Sequence, residues 1–160
     1  MRLIVFSDSH GTDAFISAVM SRMAKNADIA IHLGDGFRDL ERLRVSYPSL
    51  ELITVSGNSD ISYGLPTERV LELSGKKVFI THGNRYGVKT DLTRLYYAAT
   101  ERGADICLFG HTHVPLNITE NGILFFNPGS IGHARNGGTP SYGVIDISEG
   151  NALARVNKYG

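Results

Sequence analysis

The most constraining feature of this sequence is a unit that recurs five times: a short apolar run followed by small and metal-ligating residues. Leu3 to Ser7 leads into Asp8-Ser9-His10, and Ile29 to Leu33 leads into Gly34-Asp35-Gly36. Leu52 to Val55 leads, through Ser56, into Gly57-Asn58-Ser59-Asp60. Lys77 to Thr81 leads into His82-Gly83-Asn84, and Ile106 to Phe109 into Gly110-His111-Thr112-His113. Runs so short and so rich in Ile, Val, Leu and Phe predict strands. Helical spacing separates them. Phe15, Val19 and Met23 recur every four residues with Ala18 beside them, and Thr12 or Asp13 is the expected N-cap. A second helix is predicted over Arg38 to Tyr47, stopping before Pro48, and a third over about Lys89 to Arg102, ended by Gly103.

This β-α-β-α-β order predicts a mostly parallel, buried sheet with helical crossovers. The last third has a different pattern. Val114 to Thr119 and Ile123 to Phe126 flank Asn121-Gly122, a strong two-residue hairpin signal. Tyr142 to Ile147 and Ala152 to Val156 flank Glu149-Gly150-Asn151 and predict another hairpin. The simplest arrangement puts these late strands in a second sheet. With 160 residues and no linker, repeat or low-complexity segment, one domain over 1–160 is expected.

Composition narrows the function classes. Sixteen Lys and Arg balance sixteen Asp and Glu. Proteins that live on nucleic-acid backbones usually carry a basic excess, so no long nucleic acid is expected as partner. The one cysteine, Cys107, lies in an apolar run and reads as a buried small hydrophobe. A Cys-based structural zinc site is thereby excluded. No apolar segment approaches the roughly 20 residues of a membrane span, and the chain opens directly on a strand, so the cytoplasm is the expected location. Homo-oligomerisation is compatible with all of this.

In open α/β sheets, ligands bind beyond the carboxyl ends of the strands. The strand ends here deliver Asp8, His10, Asp35, Asn58, His82, His111 and His113 to one rim. Imidazole suits zinc, iron and nickel and, less tightly, manganese; carboxylate and amide oxygens suit harder ions. Seven side chains exceed what one ion takes from protein, so the donor set implies two divalent ions about 4 Å apart.

Asp-x-His, Gly-Asp, Gly-Asn-x-Asp, His-Gly and Gly-His-Thr-His, in that order, resemble the calcineurin-like metallophosphoesterase superfamily. The short chain and Asn127-Pro128-Gly129-Ser130 resemble its compact bacterial and archaeal phosphodiesterase branch, over roughly residues 3 to 145. The resemblance implies an α/β fold: a two-sheet β-sandwich flanked by helices, four layers deep. It implies that Asp8, His10 and His113 hold one metal, that Asn58, His82 and His111 hold the other, and that Asp35 bridges them. It implies manganese as the metal, with zinc, iron or nickel as alternatives. The implied reaction is hydrolysis of a small phosphate ester, foremost a diester, by in-line attack of a metal-bridging hydroxide.

Two departures from the family pattern stand out. Many relatives carry histidine after Gly-Asn, where it assists the leaving oxygen; here Ser59 stands there. Asn84 replaces the second histidine of a His-Gly-His common in the compact branch. Alongside Asp35 and Asn58, Asp60 and Arg135 are read as members of the catalytic set. Asp60 is expected to orient a ligand histidine, and Arg135 to clamp a phosphate. His32 reads as a buried, hydrogen-bonded histidine, and Tyr86 and Lys89 as candidates for the substrate side. The Asn127–Ser130 turn reads equally as a connection or a substrate contact.

Four function classes fit this reading. Three are enzymes on the same site: a phosphodiesterase, a phosphomonoesterase or a cyclic-nucleotide hydrolase. The fourth is a non-catalytic scaffold, as in the retromer protein of this fold, whose site is altered. Presence of all seven ligand types here favours the enzymes.

Overall fold

Why the first strand is an unbroken apolar run is answered by its two faces. In the computed structural model, which describes residues 1–160, β1 (Arg2–Phe6) points Leu3 and Val5 into one hydrophobic cluster and Ile4 and Phe6 into another. A strand covered on both sides has no polar face to show. The remaining elements follow as α1 (Asp13–Met23), β2 (Ile29–His32), α2 (Phe37–Ser46), β3 (Glu51–Thr54), β4 (Glu68–Leu73) and β5 (Lys76–Thr81). Then come α3 (Thr93–Glu101), β6 (Ile106–Leu108), β7 (Leu116–Glu120), β8 (Ile123–Asn127), β9 (Ser141–Ser148) and β10 (Asn151–Lys158).

The strands form two five-stranded mixed sheets, ordered β10-β9-β1-β2-β3 and β4-β5-β6-β8-β7. Between them lies a cluster that takes Leu3, Val5, Ile31 and Ile145 from the first sheet and Val78, Ile80, Leu108 and Phe126 from the second. Outside the first sheet, α1 and α2 bury Ile16, Met20, Leu40 and Leu43 against Ile4 and Phe6. Outside the second, α3 buries Leu95, Ala98 and Ala99 against Phe79, Cys107 and Phe125. The result is the four-layer sandwich expected from the resemblance. No helix is long and apolar enough to cross a membrane.

Two expectations about sheet membership are corrected. The five site-bearing strands do not share a sheet: β1, β2 and β3 run parallel in the first, and β5 and β6 run parallel in the second. Nor do the late hairpins build a sheet of their own. The β7–β8 hairpin joins β6 in the second sheet, while β9–β10 returns to pair antiparallel with β1 in the first. Local pattern identifies a hairpin but carries no information on which buried strand its edge will meet.

Strand β4 was not anticipated, because Glu68-Arg69-Val70-Leu71-Glu72-Leu73 is an edge strand with a polar, half-exposed pattern. Its one signal is Ser74-Gly75, where both residues have positive φ as a two-residue hairpin turn requires. Helix α3 starts later than its periodicity suggests, at Thr93, whose N–H is taken by the Asp91 carboxylate at 2.9 Å. Gly103, at φ +62°, ends it as expected.

The two sheets approach closely at Gly143 of β9. A Cβ added there would sit 2.4 Å from Cε1 of Phe126 on the facing sheet. Gly143→Ala should therefore destabilise the sandwich by about 1–3 kcal/mol through overpacking. Urea unfolding monitored by circular dichroism measures this; an unchanged midpoint would show that the intersheet space at Phe126 is looser than the structure describes.

Candidate metal centre

The parallel strands of both sheets end at one edge of the sandwich, and the turns that leave them carry the polar cluster. Nine non-glycine residues have positive φ. Four of them, Ser74, Asn121, Asn136 and Glu149, precede a glycine of positive φ in ordinary tight turns. The other five are Asp8 (+54°), His10 (+47°), Asp35 (+58°), His111 (+67°) and His113 (+61°). Left-handed backbone costs an L-residue about 1–2 kcal/mol. Such strain persists only where the surrounding structure enforces it, characteristically at functional sites. Here it turns each side chain back over the strand ends.

Two groups of three result. Asp8, His10 and His113 bring one ligand atom each within 4.8 Å of the others, and so do Asp35, His82 and His111. Nε2 of His10 faces Nε2 of His113 at 3.4 Å, and Nε2 of His82 faces Nδ1 of His111 at 3.1 Å. A tetrahedral ion with bonds of roughly 2.05 Å separates its ligand nitrogens by roughly 3.3 Å, so both pairs have the spacing of a metal edge. Asp35 Oδ2 lies 3.5 Å from His82 Nε2 and 3.8 Å from His10 Nε2, between the groups.

Asp8 Oδ1 tests whether a metal fits. It is buried and has no hydrogen-bond partner, although three imidazoles surround it: His113 at 3.1 Å, His10 at 3.8 Å and His82 at 3.9 Å. An orphaned buried carboxylate oxygen among converging ring nitrogens is costly unless a cation satisfies it. The donor set suits such a cation, with two carboxylates and four imidazoles and no thiolate.

The rest of the rim orients these ligands. His82 Nδ1 donates to Leu33 O at 2.7 Å, and His113 Nδ1 donates to His133 O at 2.6 Å. Each bond fixes the tautomer that leaves Nε2 free to ligate. Asp8 Oδ2 accepts from Ser7 Oγ at 2.6 Å and from the His111 N–H at 3.0 Å, and Asp35 Oδ1 accepts from the Ser59 N–H at 2.8 Å. Close backbone approach explains two of the motif glycines. A Cβ on Gly57 would sit 2.1 Å from Asp35 Oδ1, and one on Gly110 would sit 1.9 Å from Ser7 Oγ.

Charge and burial oppose each other throughout the site. Burial would raise the Asp8 carboxyl, but His113 and His82 hold it below the usual range. Burial would likewise raise Asp35, and His82 beside it wins, lowering it strongly. His82 is pushed down by burial, yet Asp35 and Asp8 raise it above 6.5. His113 is raised mainly by Asp8. Burial, helped by His82 and Lys89, lowers His111 to about 4.

The other residues singled out from sequence divide clearly. Asn58 sits exposed on the turn after β3, next to the Ser59 amide that holds Asp35. Arg135 is exposed on the loop after Ile131, near enough for its charge to act on His113. Asp60 does not orient a histidine, which corrects that expectation. It is buried and accepts from the N–H groups of Asp35 at 2.6 Å, Gly57 at 3.0 Å and Phe37 at 3.3 Å. Backbone amides of two turns claimed it because both turns lie directly above it.

His32 is buried and hydrogen-bonded, as read: Nδ1 accepts from the Gly34 N–H, Nε2 meets Ser9 Oγ, and Ser9 Oγ in turn donates to Asp39. Tyr86 lies away from the cluster, bonding Glu68 at 2.5 Å beside Arg102, so it is not on the substrate side. Lys89 stays near, since its charge acts on His111. Asn84 is exposed on a 3-10 turn. Asn127 and Ser130 resolve as connectors: Asn127 Nδ2 donates to Gly110 O and Thr112 Oγ1, and Ser130 Oγ to Asp8 O.

Sequence reading missed the cavity beside Asp35, of about 290 Å³, lined among others by Phe37, Arg38 and Tyr63. Phe37 and Arg38 begin α2, and Tyr63 ends a short 3-10 turn, so no local pattern joins them.

Comparison with known proteins agrees with this geometry. Residues 1–150 match the calcineurin-like phosphoesterase superfamily domain. The probable metallophosphoesterase YsnB of Bacillus subtilis is 34% identical over 156 residues, covering 97% of this chain and 89% of its own length. A conserved Streptococcus pneumoniae protein, itself a predicted phosphoesterase, has a crystal structure that matches with TM-score 0.81 and 35% identity, over 98% of this chain and 88% of that one. Zinc-complexed Vps29 of Entamoeba histolytica shares the fold at TM-score 0.77 and 20% identity, over 99% of each chain. The strand-end ligand clusters and these matches place the chain in the calcineurin-like phosphoesterase superfamily, within its metallophosphoesterases.

Metal binding should release protons in a way set by the site's charges. Asp8 and Asp35 are held ionised and His111 neutral, whereas His82 and His113 keep their protons above the ordinary 6.5. A metal requires both of these rings neutral, so affinity should rise with pH and level off above their raised values. Calorimetry in buffers of different ionisation enthalpy should find more protons released at about pH 6.5 than at about pH 8.5. Equal release at both would contradict the raised imidazoles.

Proposed function

We propose that this chain hydrolyses small phosphate esters, phosphodiesters foremost, with two divalent metal ions. The observation that carries the reading is the position of Asp35 Oδ2 between His82 and His10, one from each ligand group. Asp8, His10 and His113 would hold one ion, Asn58, His82 and His111 the other, with Asp35 between them. Manganese is the metal we favour; zinc, iron or nickel suit the same imidazoles. When bound, such a pair acidifies a water to near neutrality and withdraws charge from the phosphoryl oxygens.

The chain's own residues then have defined tasks. The Ser59 and His111 amides hold one oxygen of Asp35 and of Asp8, so their other oxygens would be the ones to hold the ions. Leu33 O and His133 O hold the two ring planes. Lys89 and Arg135 add positive potential where a phosphate anion approaches. Ser59 offers no proton near neutrality, so a leaving group must depart without an acid from that position. Phosphodiesterase YfcE of Escherichia coli, 27% identical over 91% of this chain, supports the diester preference. The likeness to Vps29 is one of fold alone, whereas the two ligand groups support turnover. A small ester and a cytoplasmic setting belong to the same reading.

Three outcomes test it. Protein purified without chelator should carry about two transition ions per chain by elemental analysis; a loadable site that takes one would defeat the two-ion reading. Asp35→Asn should lower hydrolysis of an aryl phosphodiester with manganese by a factor of roughly 1,000 or more, and retained turnover would remove its bridging role. Ser59→His should speed poor leaving groups by roughly 100-fold while barely affecting p-nitrophenyl esters. Equal gains on both would show that Ser59 does not mark the missing acid.

A further inference from the structure

The cavity next to Asp35 has a use that phosphoryl chemistry alone leaves unassigned. His10 and Asp35 of the metal centre line it together with Ser59, Phe37, Arg38 and Tyr63. The Phe37 and Tyr63 rings pack with centroids 5.0 Å apart, and the Arg38 guanidinium carbon lies 5.4 Å from the Tyr63 centroid. A cation held over an aromatic face keeps all its N–H donors free at the guanidinium edge.

The other charges of this cavity are already engaged. Arg42, the second cation, is tied to Asp13. Asp39 is buried and accepts from Ser9 Oγ and the Gly11 N–H. Asp60 is buried beneath the amides of Asp35, Gly57 and Phe37. The Phe37 bond also takes the first amide of α2. Arg38 is exposed and pairs with no carboxylate, which leaves its guanidinium as the uncommitted cation of this cavity. Ser59 lines the same cavity with a small side chain.

We infer that Arg38 is a specificity residue: resting on Tyr63, it receives a second phosphate group of the substrate while the first lies at the metal centre. The planar guanidinium matches two oxygens of a phosphate at once, which a lysine would not. The substrate class is then a small ester bearing a further phosphate, and a doubly phosphorylated nucleotide serves as a probe of that class. This inference rests on the phosphoesterase reading above, and its test separates the two.

The test uses the manganese-loaded full chain and two matched esters: thymidine 5′-(p-nitrophenyl phosphate) and its 3′-phosphorylated counterpart. The bond cleaved and the leaving group are the same, so only the distal phosphate differs. The wild-type chain should favour the 3′-phosphorylated ester in kcat/KM by roughly tenfold or more, mainly through KM. Arg38→Ala should erase that preference while leaving the plain ester within about twofold, and Arg38→Lys should keep part of it. Equal use of both esters by the wild-type chain, or an equal loss on both in Arg38→Ala, overturns the inference and leaves the phosphoesterase reading intact. Failure to cleave either ester counts against that reading instead. Calorimetric titration then decides on Arg38, comparing thymidine 3′,5′-bisphosphate with thymidine 5′-monophosphate. Tighter bisphosphate binding that Arg38→Ala abolishes supports it, and equal binding refutes it.

Discussion

Everything at this edge of the molecule depends on keeping two largely buried carboxylates ionised. Asp8 is fully buried and Asp35 nearly so. A buried carboxylate without compensation would take up a proton. Compensation comes from imidazoles on two different sheets: His113 and His82 face Asp8, and His82 and His10 face Asp35. Neither sheet holds a complete set. The intersheet core therefore does more than stabilise the fold, because it fixes the separation at which ligands from both sheets meet.

Within that arrangement the buried carboxylates divide into two kinds. Asp8 and Asp35 each spend one oxygen on hydrogen bonds and turn the other toward ring nitrogens. Asp39 and Asp60 spend theirs on backbone amides and a serine, and so shape the turns that carry the first kind. The left-handed backbone at five ligands is sustained by this second group and by the Asn127 and Ser130 bonds to Gly110 and Asp8. Rigidity at the ligands comes from the layer beneath them.

Much of the site was legible because strand ends are marked locally: an apolar run stops, and a ligand type follows it beside a glycine. Asp8, His10, Asp35, His82, His111 and His113 all fall on such marks, and all lie in the two ligand groups. Asp60 falls on the same kind of mark and was read for a different partner, since chemistry shows what a carboxylate can bond but not which donors lie above it. Tyr86 was misplaced for the same reason, drawn to Glu68 and Arg102 on the outer face of the second sheet. Strand β4 escaped because an edge strand needs no continuous apolar pattern.

By itself the sequence determined every strand but β4, the two late hairpin turns, the helical faces and the order in which ligand types reach the strand ends. Those follow from local periodicity and turn chemistry, which act over a few residues. Tertiary structure alone decided that the site-bearing strands divide between two sheets, and that β9–β10 returns to β1. It also decided that Arg38 and Tyr63, 25 residues apart along the chain, share a cavity with Asp35. These outcomes rest on burying apolar faces of particular shape against one another, a property of the packed core that no stretch of the chain holds alone.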